Sequence, residues 1–238
     1  MRKIAIFVEG QTELIIIREF ILRKYCYKVN FECLELFRKG TLRPAEYDFK
    51  SPDADVFYRI INIGNDQKVL SAILERETSL FQQGYEKVIG VRDLYSKEYR
   101  DFANEINKDV NDRIINNTTS IIGKSVNHDK IFLCFSIMEI EAWFLALYHV
   151  LIKINRNLTA DYIKDKLGLD LFNIDPETHC YHPSAILNKI YRLEGLQYDK
   201  HKGDIEAICR HVSIDDYVEL NKSPKCNSFK KFFSQFES

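Results

Sequence analysis

Short apolar runs, each followed by a longer stretch with helical character, set the strongest limit on how this chain can fold. The runs at residues 2–8, 87–91 and 131–136 are mostly apolar and rich in β-branched and aromatic side chains. Runs of this length and composition predict strands buried on both faces, and such strands belong to parallel sheets. The alternation of strand and helix therefore predicts an α/β fold with a mostly parallel sheet and helices on both faces.

The remaining elements follow from periodicity and from turn residues. Two further strands are predicted at 29–37 and 56–63, and helical spacing predicts helices at 13–27, 66–83, 96–115 and 138–154. Gly10 breaks the first strand, and Thr12 is placed to cap the first helix.

The pattern changes in the last third of the chain. From about residue 156 onward, helical stretches alternate with turn signals such as Asp175-Pro176 and His182-Pro183. We therefore predict a core at residues 1–155 and a smaller helical C-terminal region at 156–238 packed on that core. A length of 238 residues suits one large domain or a core with an appendage.

Composition narrows the class of protein without indicating a ligand. Hydrophobic residues make up 45% of the chain, enough for a sizeable core, and the net charge of -1 argues against a histone-like, charge-driven binder. The six cysteines form no CxxC pair, which is typical of reduced cysteines in a cytoplasmic protein. No signal peptide and no apolar window of roughly 18 residues is found, so we expect a cytoplasmic protein without a membrane partner.

Acidic residues follow the predicted strands at their carboxyl ends. Glu9 follows the first strand, Asp93 follows the strand at 87–91, and Glu139 and Glu141 follow the strand at 131–136. Ligands of open α/β sheets bind at this edge, and carboxylate oxygens are the ligands that Mg²⁺ prefers. The sequence therefore predicts a site for Mg²⁺ or Mn²⁺ that polarises a phosphoryl oxygen and activates water.

Three of the acids leave alternatives open. Glu13 lies four residues after Glu9, where it either binds the metal, directly or through water, or only complements the helix dipole. Glu139 and Glu141 point about 200° apart on a regular helix. They can both face one site only if the helix starts between them.

Two of these segments resemble motifs of Toprim domains, which occur in topoisomerases, primases, recombination-repair proteins and overcoming-lysogenization-defect nucleases. Residues 9–13 (EGQTE) after an apolar strand resemble the first Toprim motif. The second motif is Asp-x-Asp, and here residues 93–95 (DLY) place Tyr95 where the second aspartate is expected. Tyr95 is therefore either neutral drift, a packing residue, or a hydroxyl that replaces the carboxylate ligand.

Later segments resemble a bacterial Toprim-like family more closely. Residues 138–143 (MEIEAW) look like the double-glutamate segment of that family. Its C-terminal pattern is similar to residues 182–184 (HPS), residues 198–200 (YDK), and Cys226 and Phe229 before a final amphipathic helix. The ordered set of motifs spans most of the chain.

The resemblance implies a metal-dependent nuclease of the overcoming-lysogenization-defect type, cleaving DNA or RNA in defence against phage or plasmids. It implies nucleic acid and an ATPase of the ABC or SMC-like kind as partners, and a homo-oligomer stays open. On this interpretation Glu9 and Asp93 bind metal, and Glu139 or Glu141 completes the site or binds a second ion. Lys200 contacts phosphate or stabilises negative charge.

Two alternatives remain at this stage. Lys200, Lys202 and Lys225 are candidates for binding nucleic acid, but basic runs are more often solvated faces. The tyrosine in the second motif also favours a different function, namely a degenerate module that binds an ATPase or nucleic acid without cutting it.

Overall fold

The structure is a computed structural model that describes residues 1–65, 68–200 and 203–237. The described residues form a six-stranded sheet in the order β3-β2-β4-β1-β5-β6. Its strands are β1 (Arg2–Val8), β2 (Val29–Leu36), β3 (Leu42–Pro44), β4 (Val56–Asn62), β5 (Lys87–Asp93) and β6 (Ile131–Ser136). Strand β1 runs parallel to β4 and β5, β2 runs parallel to β4, and only the short β3 is shown to be antiparallel to its neighbour. The predicted α/β fold with a mostly parallel sheet is confirmed.

Helices connect the strands and make up the last third of the chain. They are α1 (Gln11–Lys24), α2 (Val69–Gln82), α3 (Lys97–Arg100), α4 (Lys108–Ile122), α5 (Glu141–Ala146), α6 (Leu151–Ile154), α7 (Ala160–Leu167), α8 (Pro176–His179), α9 (Pro183–Arg192), α10 (Asp204–His211), α11 (Ile214–Lys222) and α12 (Asn227–Ser234). The predicted helical C-terminal part is confirmed. Among the described residues, no helix is long and apolar enough to cross a membrane.

The sequence prediction missed the short strand β3 and was wrong at several helix boundaries. The helix predicted at 96–115 is two helices, because Ser96 caps the single turn of α3 and the Tyr99 hydroxyl then accepts a hydrogen bond from the Asn107 N–H at 2.7 Å. The helix predicted at 138–154 begins at Glu141 and is interrupted by a 3-10 turn at Tyr148–Val150. Thr12 lies inside α1, and Gly10 is its N-cap without a side-chain hydrogen bond.

Strand β1 lies at the centre of the sheet and is buried on both faces. Ala5 and Phe7 pack in one apolar cluster with Val69 and Ile73 of α2. The alternate residues at 4, 6 and 8 are equally buried and project from the opposite face. Helices α1 and α2 connect strands in opposite directions across the sheet, so right-handed crossovers place them on opposite faces. Both faces of the sheet are therefore covered, as predicted.

Gly90 of β5 marks a close approach between the sheet and α2. A Cβ atom at this position would lie 2.1 Å from Leu133 Cδ1 and 2.7 Å from Ile73 Cδ1. Both distances are far below van der Waals contact, so a larger residue fits only if these side chains move.

The chain divides into two compact units, each made of more than one segment. The first unit comprises residues 1–92 and 109–135, and the second comprises residues 93–108 and 136–238. Helix α5 contacts both α8 and α9 within the second unit. The compact units therefore do not coincide with the boundary predicted at residue 155, since residues 136–155 pack with the C-terminal helices.

Candidate functional site

The predicted site residues belong to both compact units. Glu9 and Glu13 are part of the first unit, whereas Asp93, Glu139, Glu141 and Lys200 are part of the second. Asp93, Glu139, Glu141 and Lys200 are called the acidic cluster from here on.

The two acids of the first unit flank the turn between β1 and α1. Glu9 follows β1 directly and is half-buried, and Glu13 lies in the first turn of α1 with 4% of its surface exposed. A Cβ atom at Gly10 would lie 3.1 Å from Glu13 Oε2, so the glycine leaves room for this carboxylate. The roles predicted for Glu9 and Glu13 stay predictions.

The Asp93 carboxylate accepts hydrogen bonds from two donors, one at the end of β6 and one at the start of α5. Its Oδ1 atom accepts hydrogen bonds from the Ser136 hydroxyl and from the Ile140 N–H, the latter at 2.9 Å. Ser136 ends β6 and Ile140 is the N-cap of α5. The carboxylate is thereby fixed in orientation between the end of a strand and the beginning of a helix.

The carboxylates of Glu139 and Glu141 both lie near the ammonium group of Lys200. Helix α5 begins at Glu141, so the helix starts between the two glutamates. This is the condition under which both side chains can face one site. Lys200 Nζ lies 2.8 Å from Glu141 Oε1 and 3.7 Å from Glu139 Oε1. The two carboxylates therefore face the same point in the second unit.

Each glutamate is also oriented by a residue from the C-terminal part. The Ser184 N–H donates to Glu139 Oε2 at 2.8 Å, and the Ser184 hydroxyl donates to Oε1 at 3.0 Å. The Tyr198 hydroxyl donates to Glu141 Oε1 at 2.8 Å. These roles of Ser184 and Tyr198 were missed from the sequence. Both lie in the motifs that resemble the Toprim-like family, and that position was the only available signal.

The charges of the acidic cluster reinforce one another. Burial lowers the pKa of Lys200, but the carboxylates of Glu141, Glu139 and Asp93 more than offset this and hold it above its usual value. Burial, with the Glu141 carboxylate, raises the pKa of Tyr198, so its hydroxyl stays protonated and donates. Lys200 is therefore a cation at neutral pH.

One carboxylate oxygen of the cluster stands apart from the others in its hydrogen bonding. Glu141 has no exposed surface, and within residues 1–65, 68–200 and 203–237 its buried Oε2 atom meets no hydrogen-bond donor. A buried carboxylate oxygen without a partner costs free energy, and such atoms are a mark of strained, catalytic or ion-binding groups.

The backbone before Glu139 is also unusual. Met138 has φ of 65°, in the left-handed region that non-glycine residues rarely adopt. Its carbonyl accepts a hydrogen bond from the Tyr95 N–H at 2.9 Å. Strained backbone of this kind is concentrated at functional sites, which makes this turn a candidate functional element.

Of the basic residues predicted to bind nucleic acid, Lys225 contacts backbone carbonyl groups of this chain. Lys225 Nζ donates to the carbonyls of Leu171 and Phe172 at 2.6 and 2.9 Å, and burial lowers its pKa. Lys202 lies outside the described residues. Their binding to nucleic acid stays a prediction.

The donor chemistry of the acidic cluster fits a hard divalent cation, although no complete metal site is assembled. Its carboxylates offer oxygen ligands, and Oε2 of Glu141 has no hydrogen-bond donor among the described residues. Across residues 1–65, 68–200 and 203–237, no three His, Cys, Asp or Glu side chains converge closely enough to hold a metal ion. In the second unit, the Lys200 ammonium supplies the positive charge shared by Glu139 and Glu141.

Comparison with protein-family models, with curated proteins and with solved structures gave no match. The Toprim-like resemblance therefore rests on the motifs alone.

Proposed function

We propose that the chain is a nuclease that hydrolyses phosphodiester bonds of DNA or RNA with a divalent metal ion, Mg²⁺ or Mn²⁺. The observation that carries this proposal is the Glu141 carboxylate, which is fully buried and has one oxygen without a hydrogen-bond donor among the described residues. A purely structural ion pair gains by satisfying both oxygens, since each unsatisfied buried atom costs free energy.

The residues of the second unit have distinct roles in this proposal. Glu141, Glu139 and Asp93 would hold the metal, which when bound polarises a phosphoryl oxygen and activates water. Ser184 orients Glu139 through two hydrogen bonds. Lys200 remains protonated because of its acidic neighbours and supplies positive charge for a phosphate.

The biological setting is proposed from the family resemblance alone. A partner ATPase of the ABC or SMC-like kind, defence against phage or plasmids, and a cytoplasmic location all belong to it. Nucleic acid as the substrate has the additional support of the acidic chemistry described above.

A second candidate function is a module that binds nucleic acid or an ATPase without cutting. It is favoured by the position of Lys200, whose ammonium already neutralises Glu139 and Glu141 at 3.7 and 2.8 Å. The tyrosine in place of the second motif aspartate points the same way. In this case Lys200 replaces the metal as a fixed internal cation.

The two candidates are separated by a nuclease assay on single-stranded DNA, duplex DNA and RNA with Mg²⁺ or Mn²⁺. Glu141→Gln is expected to lower cleavage about 100-fold or more, because metal catalysis contributes several kcal/mol. Glu177→Gln is the matched control, since Glu177 is a second buried glutamate of the same unit outside the acidic cluster. Glu9→Gln tests in the same assay the prediction made for Glu9 from the sequence.

The possible outcomes of this assay distinguish the nuclease from the binding module. Cleavage that disappears in EDTA and in Glu141→Gln, but persists in Glu177→Gln, supports the nuclease. Cleavage of no substrate, with or without an ATPase partner, would favour the binding module. Cleavage that continues unchanged in Glu141→Gln excludes the acidic cluster as the catalytic centre.

A further inference from the structure

Three aromatic rings and one guanidinium group form a compact cluster in the second unit. The Tyr95 ring meets the rings of Tyr181 and His182 edge-to-face, with centroids 5.5 and 5.0 Å apart, and Tyr181 and His182 are 4.5 Å apart. The Arg100 guanidinium lies over Tyr95, 5.0 Å from its ring centroid. These four residues are called the ring cluster.

Short segments of backbone tie the ring cluster to the acidic cluster. Tyr95 lies two residues after Asp93, and His182 lies two residues before Ser184, which donates both its hydrogen bonds to Glu139. Two residues of extended chain span at most about 7 Å. The rings are therefore held within reach of any chain of nucleotides that contacts the acids.

The ring cluster is open to solvent on part of its surface. Tyr95 and Tyr181 are half-buried, and His182 and Arg100 are exposed. The planes of histidine and arginine side chains are surfaces on which unpaired bases stack, and arginine also pairs with phosphate. A duplex hides the faces of its bases inside the helix, so only an unpaired base can use such a surface.

We infer that the ring cluster stacks an unpaired base of single-stranded nucleic acid next to the acidic cluster. This inference rests on the proposed function and names its substrate class as single-stranded DNA or RNA. It also gives the tyrosine of the second motif a role: Tyr95 supports both His182 and Arg100 through its ring. A hydroxyl that replaces a metal ligand would instead act through its oxygen.

The test is the binding of short labelled DNA and RNA oligonucleotides, single-stranded and duplex, in EDTA and at one fixed salt concentration. Binding is measured by fluorescence anisotropy with the 238-residue chain. EDTA removes the divalent metal, so cleavage does not contribute. His182→Ala and Tyr95→Leu are each expected to weaken binding of single strands about tenfold, the loss of one stacked base. The DNA and RNA arms decide which of the two is bound.

Two control variants make the expected loss specific. His179→Ala removes another exposed histidine of the same unit and is expected to bind like the wild type. Tyr95→Phe keeps the ring without the hydroxyl and is expected to bind like the wild type as well. Because His182 is exposed and is an N-cap without a side-chain hydrogen bond, His182→Ala is expected to fold even if Tyr95→Leu does not.

The inference falls if His182→Ala binds single strands as tightly as the wild type, or if duplex binding weakens equally. It also falls if Tyr95→Phe is as weak as Tyr95→Leu, since the hydroxyl would then be the active group. Normal binding by His182→Ala together with metal-dependent cleavage overturns this inference but still supports the proposed nuclease function. Weak binding by His182→Ala in a protein that cuts nothing supports the inference and removes the nuclease.

Discussion

Glu141 is a carboxylate without exposed surface, and its two oxygens have different surroundings. Oε1 accepts a hydrogen bond from Tyr198 and pairs with Lys200, while Oε2 has no hydrogen-bond donor. A buried charge is tolerated when an opposite charge compensates for its lost hydration. Lys200 is therefore expected to stabilise the fold by compensating the charge of this buried carboxylate.

Lys200→Met is expected to lower the free energy of unfolding by about 3–5 kcal/mol, because it leaves a buried charge unpaired. Combining it with Glu141→Gln is expected to cost less than the sum of the single changes, since both partners of the ion pair are then neutral. Urea denaturation of the two single variants and the double variant at neutral pH measures this coupling.

The control for this cycle is Lys166→Met, which breaks the exposed pair of Lys166 and Asp165. Exposed ion pairs contribute about 0–1 kcal/mol, so little change is expected. A loss in Lys200→Met no larger than in Lys166→Met would show that Glu141 does not depend on the ammonium.

At the level of elements, three helices of the second unit meet around Glu177. Glu177 of α8 accepts hydrogen bonds from the hydroxyl and the N–H of Ser228 in α12, and Trp143 Nε1 of α5 donates to the same hydroxyl at 2.9 Å. Trp143 also packs against Phe229 and Phe232, with ring centroids 5.2 and 5.3 Å apart. Trp143 therefore belongs to the core of the second unit.

This junction predicts a pH dependence of stability. Burial raises the pKa of Glu177 from 4.5 to about 7, assisted by Asp175 and opposed by the hydrogen bonds from Ser228. Between these values the folded state holds the proton more tightly than the unfolded chain. The stabilisation from the protonated Glu177 is therefore complete below pH 4.5 and is lost as the pH rises through 7. The free energy of unfolding falls by about 3 kcal/mol over this range.

The measurement is the free energy of unfolding at both ends of this pH window, in the wild type and in Glu177→Gln. The variant is expected to lose this part of the pH dependence, because glutamine does not titrate. Glu219→Gln, an exposed change in α11, is the control and is expected to follow the wild type. The same slope in Glu177→Gln as in the wild type would contradict the shifted pKa.

On the scale of the whole molecule, the chain folds into two compact units that are each discontinuous in sequence. Residues 136–155 belong to the second unit with the C-terminal helices, although the sequence predicted a boundary at 155. The side chain of Trp143 is covered by Phe229 and Phe232, and Glu141 is paired by Tyr198 and Lys200.

A chain that ends at residue 155 is therefore expected not to fold cooperatively. It would expose Trp143 and leave the buried Glu141 carboxylate without its partners, each a change worth several kcal/mol. Thermal unfolding followed by circular dichroism tests this, with the full-length chain as reference. A sharp cooperative transition in the shortened chain would support the predicted boundary instead.

The sequence by itself determined every strand but the short β3, the α/β class and the residues that follow the strands at their carboxyl ends. Those features are local, because strand periodicity and the burial of short apolar runs are written into neighbouring residues. The break before Glu141 was stated only as a condition, since a regular helix and a late start have similar sequences.

Only the tertiary structure decided which partners the acids have. Lys200, Tyr198 and Ser184 reach Glu139 and Glu141 across 45 or more residues of chain. The ring cluster around Tyr95 likewise joins two distant segments. Such contacts depend on how helices pack, and packing responds to the shapes of many side chains at once, which no local pattern in the sequence records.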